Sequence, residues 1–138
     1  MGTSRIALAN IRFPATPGES VSLAERAVAE ASIERADIIC FPECFVPGYR
    51  GISKSVPPPD PEFLEHAWSV IAEAAVKATI TVVLGTERFV DSALVAAVLV
   101  IDQDGSIRRA FRTRSRSTPP KRAPTHQALA AACFKPAP

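Results

Sequence analysis

Short apolar runs alternate with longer amphipathic stretches along most of the chain. Ile6 to Ala9 is an apolar run after a charged start, and it predicts a first strand buried on both faces. PATPG then breaks it. Ser22 and Glu25 form a capping-box pattern, and Leu23, Ala24, Ala27, Val28 and Ala31 recur behind them at helical spacing. A helix of about four turns is expected, ending near Arg35 or Ala36. Asp37 to Phe41 (DIICF) is short, apolar and closed by Pro42, which predicts a central strand with an abrupt carboxyl end. Strand, helix and strand in this order imply a right-handed parallel crossover.

The stretch from Cys44 to Pro61 carries PGYRG and PPPDP, so it reads as a long loop, and loops of that length are usually functional or disordered. From Glu62 to Ala78, the positions Leu64, Ala67, Trp68, Ile71, Ala74, Ala75 and Ala78 mark a second amphipathic helix, with Pro61 suited to its first turn. Ile80 to Leu84 is the third strand and Ala93 to Ile101 the fourth. Asp102-Gln103-Asp104-Gly105 is a hairpin turn that starts a fifth at Ser106. Beyond about Arg109 neither a period of 2 nor one of 3.6 persists.

With 138 residues and 47% hydrophobic content, the chain is sized for one domain with a core. No apolar run approaches the roughly 18 residues that span a bilayer, and MGTSRIALAN lacks the features of a signal peptide, so a cytoplasmic protein without a membrane partner is expected. Cys40, Cys44 and Cys133 are too few for a disulfide scaffold, and no second pair stands at zinc-ligand spacing. No metal is expected. Charge divides the chain: residues 1–107 carry 8 Lys and Arg against 14 Asp and Glu, a net −6, whereas residues 108–138 carry 8 basic residues and no acidic one. The sequence therefore divides into a domain over 1–107 and a basic, Pro-rich tail over 108–138, disordered or out of frame.

Chemistry concentrates in ADIICFPECFVPGYRG, residues 36–51. Ligand sites in parallel sheets lie beyond the carboxyl ends of the strands, and Glu43 stands two residues past such an end. Flanked by Phe41, Cys44 and Phe45, its carboxylate is expected to be partly desolvated, with a pKa raised toward the range of a general base. The residues alone leave two readings open: a site carboxylate, or a loop residue that caps a turn or pairs with Arg50. Tyr49 and Arg50 are candidates for a pocket rim. His66 reads as a surface residue of the second helix, and no GxxxxGK, GxGxxG or HExxH motif calls for a cofactor.

The series IALAN, DIICFPECFVPGY, VVLGTER and LVAAVLVIDQDG resembles the nitrilase superfamily of carbon–nitrogen hydrolases over residues 5–107. The resemblance implies the N-terminal half of a four-layer αββα sandwich with a mixed sheet, hence an α/β fold. It also implies a Cys, Glu and Lys triad acting on a nitrile or amide, with Glu43 as the catalytic base, and a common tendency to form homo-oligomers. Neither of the other triad members matches a residue here. Where the family has its lysine, this sequence has Arg112, Thr113 and Arg114, and Arg differs from Lys in geometry. Lys121 lies too far along. Cys133 has no apolar strand before it, and Cys40 and Cys44 read as packing residues.

A reading-frame shift near Arg108 covers the charge break, the lost periodicity and the missing lysine together. Back-translation from Phe111 into the neighbouring frame permits QDKVQVDPSEEG and YSPGSGRRVF, which resemble the family's continuation. The expectation is a truncated hydrolase that is inactive alone. The alternatives are a non-catalytic domain pairing with intact relatives, and a nucleic-acid binder acting through Arg108, Arg109, Arg112, Arg114, Arg116, Lys121 and Arg122. A solvated or out-of-frame tail outweighs the last of these.

Overall fold

The computed structural model describes residues 2–50 and 57–112. The element order is β1 (Ile6–Leu8), α1 (Pro17–Ile33), β2 (Ile38–Cys40), α2 (Pro61–Ala78), β3 (Thr81–Val90), β4 (Ala93–Ile101) and β5 (Ile107–Arg112). The sheet is mixed, in the order β1-β2-β3-β4-β5. Strands β1, β2 and β3 run parallel, and β4 and β5 add to them as antiparallel neighbours. It is an α/β architecture with a mixed sheet, as the sequence leads one to expect.

Helix α1 begins earlier than the Ser22 pattern suggests. Thr16 is its N-cap, accepting from Glu19 N at 3.1 Å, and Pro17 fills the first turn, where a missing N–H costs nothing. Glu19 reaches back to Ala15 N at 2.5 Å and pairs with Arg12. The capping sequence is therefore Thr16 to Glu19. Ser22 lies inside the helix, its hydroxyl donating to Gly18 O at 3.4 Å. The helix ends at Ile33, and Arg35 takes a left-handed φ of 58°. Helix α2 starts at Pro61 behind its N-cap Asp60, which accepts from Glu62 N at 3.0 Å, and closes on Thr79 with a φ of 52°.

Register separates the two faces of the sheet. Ala7, Ile39, Val82 and Ile101 form one row across four strands and, with Leu84 and Leu99, pack against Ala24, Ala27 and Val28 of α1 and Ala67, Ile71 and Ala75 of α2. Leu8, Cys40, Val83 and Val100 form the row on the opposite face. No described element covers that face. Strand β1 is consequently not buried on both sides as its apolar run predicts: Ile6 is 57% and Leu8 76% exposed. The helices cover one face only.

Two strands outrun their sequence signals. Strand β3 continues through Gly85, Thr86 and Glu87 to Val90, because β4 pairs with it along its whole length, from Val82↔Ile101 to Val90↔Ala93. Strand β5 continues past Arg109 to Arg112, since Val98↔Phe111 and Ala97↔Arg112 extend the β4 ladder. Backbone pairing replaces the missing side-chain period. Residues from Thr113 onward lie outside the described residues, and with them Arg114, Lys121, Cys133 and His126. Among the described residues no helix is long and apolar enough to cross a membrane.

Candidate active site

The segment from Phe41 to Arg50 leaves the carboxyl end of β2 and runs beside the middle of β3. Phe41 N donates to Val83 O at 2.8 Å, and Val46 N donates to Gly85 O at 3.3 Å, so the segment is tied to β3 at both ends. Val46 and Thr86 form a parallel bridge. Between these ties the FPE backbone lies directly on the strand: a Cβ at Gly85 would stand 1.9 Å from Pro42 O and 2.9 Å from Glu43 Cα. Only glycine admits that approach, the usual reason for glycine inside a strand.

The resulting turn sorts its side chains by polarity. Phe41 and Phe45 are buried with ring centroids 5.3 Å apart, and Cys44 is buried beside them with its thiol donating to Thr86 O at 3.9 Å. Glu43 alternates outward and is exposed, beyond the carboxyl end of the middle parallel strand. Its position agrees with the sequence reading, but the expected desolvation is not found, because the flanking apolar residues turn inward. Tyr49 is also exposed and packs against Phe13 with centroids 6.3 Å apart.

Arg50 does not pair with Glu43. Its guanidinium pairs with Glu87, two residues beyond Gly85 on β3 and hence on the same face of the sheet. Glu87 is the buried carboxylate of this region, with only 9% of its side chain exposed. Burial raises its pKa above the ordinary carboxylate value, against the lowering effect of Arg50. The Cys44 thiol is pushed up to about 11, first by burial and then by the charges of Glu87 and Glu43. Both carboxylates act in the direction expected of negative charges near a thiol.

Thr86, between Gly85 and Glu87, faces the helices. Its hydroxyl accepts from Trp68 Nε1 at 3.1 Å and lies 3.4 Å from Glu87 O, which fixes α2 to the strand at the level of the site. A cleft of about 290 Å³ near Trp68, lined also by Leu64, Phe89, Leu99 and Ile107, opens on the helix side and shares no residue with the Glu43 cluster. Cys40 and Cys44 are free thiols. Among the described residues no three His, Cys, Asp or Glu side chains are placed to hold a metal ion.

The family model that describes carbon-nitrogen hydrolases matches residues 5–128, most of the chain. The chain belongs to the carbon-nitrogen hydrolase family. No curated protein matches it. Among solved structures, an amidase from Nesterenkonia sp. AN1, seen with acrylamide added at its active-site cysteine, is 20% identical with a TM-score of 0.64, over 80% of this chain and 44% of that one. A carbon-nitrogen hydrolase from Helicobacter pylori G27 is 14% identical with a TM-score of 0.67, over 80% of this chain and 39% of the other. The NitFhit protein of C. elegans is 20% identical with a TM-score of 0.61, covering 82% of this chain and 29% of that one. This carbon-nitrogen hydrolase chain thus spans less than half the length of the solved structures it resembles.

The sequence reading singles out Glu43 as a candidate site residue and does not single out Gly85 or Glu87. Both stand in LGTER, and each carried a signal: a glycine inside an apolar strand, and a lone carboxylate continuing it.

Proposed function

We propose that Glu43 is the general base of a carbon–nitrogen hydrolase site that acts on a small amide or nitrile through a Cys, Glu and Lys triad, and that this chain supplies only the glutamate. The observation that carries the reading is the seat of Glu43, held by the Pro42 to Gly85 contact just past the end of β2, with its carboxylate free to meet a substrate. On an amide, Glu43 would take the proton of the cysteine thiol as sulfur bonds to the carbonyl carbon. It would then return that proton to the departing nitrogen, leaving a thioester that water hydrolyses. The lysine would stabilise the tetrahedral oxyanion. Tyr49 and Arg50 lie on the same segment, at the rim of such a site.

Without a nucleophile at the triad position the covalent route is closed, so the chain alone is expected to release no ammonia from amides or nitriles. Activity that survives Cys133→Ala but disappears in Glu43→Ala would sink that account. The absence of a triad lysine fits a frame shift near Arg108, and the DNA around that codon tests it: a neighbouring frame closed by stops ends the idea. A cytoplasmic setting is part of the same reading, supported by the free thiols of Cys40 and Cys44.

The open face of the sheet favours a second, compatible reading, association with another copy or an intact relative. Ile6 and Leu8 are exposed there beside Cys40, Val83, Val98 and Val100, an apolar face of the kind that mediates association.

A further inference from the structure

The cleft beside α2 combines apolar walls with one charge of each sign. Leu64 and Trp68 of α2 and Leu99 of β4 line it, and the exposed side chains of Phe89 and Ile107 extend the same apolar surface outward. Trp68 Nε1 already donates to Thr86 Oγ1 at 3.1 Å, so what the indole offers the cleft is carbon, held in one orientation. Two charged side chains complete the lining, Arg88 of β3 and Glu65 of α2. Neither forms an ion pair or a side-chain hydrogen bond among the described residues. An apolar concavity with a few polar groups is the usual form of a small-molecule site, and about 290 Å³ stands at the lower end of the size range. The volume suits one ring with a short head group.

We propose that this cleft is a second binding site and that it takes a free α-amino acid with an apolar, preferably aromatic side chain. The carboxylate pairs with Arg88, the ammonium with Glu65, and the side chain lies on Trp68. A guanidinium fork matches a carboxylate, and a ring set against an indole gains more than its buried area alone supplies. Other ligand classes each fail on one wall. A simple carboxylate leaves Glu65 unmatched, an amine leaves Arg88 unmatched, and a nucleotide brings phosphate charge beside Glu65. The two charges carry different weight. Arg88 is half-buried, so a ligand without the carboxylate loses about tenfold in affinity, whereas Glu65 is exposed and the ammonium contributes about threefold. The site is independent of the hydrolase reading, because it shares no residue with the Glu43 cluster.

Trp68 is the one tryptophan of the chain, so its fluorescence reads the cleft directly. Titration of the full chain with L-phenylalanine, with excitation where phenylalanine does not absorb, is expected to give a saturable change at roughly millimolar concentration, as suits a ligand of this size. Phenethylamine, which lacks the carboxylate, should need about tenfold more, and phenylpropionate, which lacks the ammonium, about threefold more. Arg88→Gln should erase the preference for phenylalanine over phenethylamine. Glu65→Gln, at an exposed helix position, should erase the preference over phenylpropionate. Each variant is read as a ratio between two ligands, so a general loss of stability cannot imitate the result. The absence of a saturable change with L-phenylalanine in the parent chain, equal responses to the three ligands, or an unchanged ratio in either variant would overturn the site.

Discussion

Pro42 and Gly85 are in backbone contact, close enough that no side chain fits at residue 85. The obstacle to a Cβ is a carbonyl oxygen held in a tied loop, so it cannot swing aside as a side-chain tip would. Gly85→Ala must push the FPE turn away from β3, stretching the Val46 N to Gly85 O hydrogen bond and moving Glu43 with it. The expected loss is about 3 kcal/mol, the upper end of overpacking costs, or a fall of roughly 12 °C or more in Tm. Hydrogen exchange should rise in the peptide spanning Phe41 to Val46. An alanine variant as stable as the parent, with that peptide equally protected, would show that the contact does not hold the turn.

Most of the architecture was legible because burial and period coincide in the elements that build the core. Ile39, Val82 and Leu84 had to face the helices once the stripes of α1 and α2 were recognised. Several of the failures share one cause, namely that a contact distant in sequence overrides a local pattern. Strand β3 reads as ending at Leu84, because Gly85 and Glu87 are poor strand residues locally, yet β4 pairs with both and with Thr86 between them. Ile6 and Leu8 look like core residues, and only the sheet order reveals that their face is uncovered. Glu43 appeared desolvated among Phe41, Cys44 and Phe45, but a turn alternates its side chains, so the buried carboxylate is Glu87. The Arg50 to Glu87 pairing spans 37 residues and leaves no mark on either segment.

Glu87 gives the fold a definite pH dependence. Its native pKa is raised, so between the unfolded carboxylate value and that raised value the folded chain holds more proton than the unfolded chain does. Stability from this group is therefore fully present below the unfolded pKa and lost as pH rises through the native one. Glu87→Gln removes the titration. Plotted against pH, the stability of the parent relative to Glu87→Gln should fall as pH rises through that window and level off above it. Urea unfolding of both proteins at several pH values provides the measurement; a difference that stays flat or rises with pH contradicts the assignment.

Cys44 should be the slow thiol of the described pair. With its pKa pushed up to about 11, only about one molecule in a thousand is a thiolate at pH 8, and the thiolate is the reacting form. Cys40 is half-buried on the open face of the sheet and should alkylate first. Peptide mass spectrometry after timed iodoacetamide treatment resolves the two. Because the Glu87 and Glu43 charges help to raise the Cys44 pKa, Glu87→Gln should speed its labelling several-fold at fixed pH without changing that of Cys40. Labelling of Cys44 at the pace of Cys40 in the parent chain would mean that the FPE turn opens on the timescale of the reaction.

The open sheet face is expected to govern association of this chain in solution. Leu8 is 76% exposed, and its row continues through Cys40, Val83 and Val100 across four strands, so the exposed apolar surface is contiguous. Contiguity distinguishes an association surface from a scatter of single apolar residues. Ile33 supplies the control: it is 78% exposed at the end of α1, in the helix layer and away from that face of the sheet. Light scattering coupled to size-exclusion chromatography should show concentration-dependent association of the parent chain. Leu8→Lys should shift it toward monomer, because a desolvated ammonium in a sheet-to-sheet contact costs several kcal/mol. Ile33→Lys should leave the profile as it was. If the parent elutes as a monomer at every concentration, or if both lysine variants act alike, the face is not an association surface and Leu8 is merely an exposed edge residue.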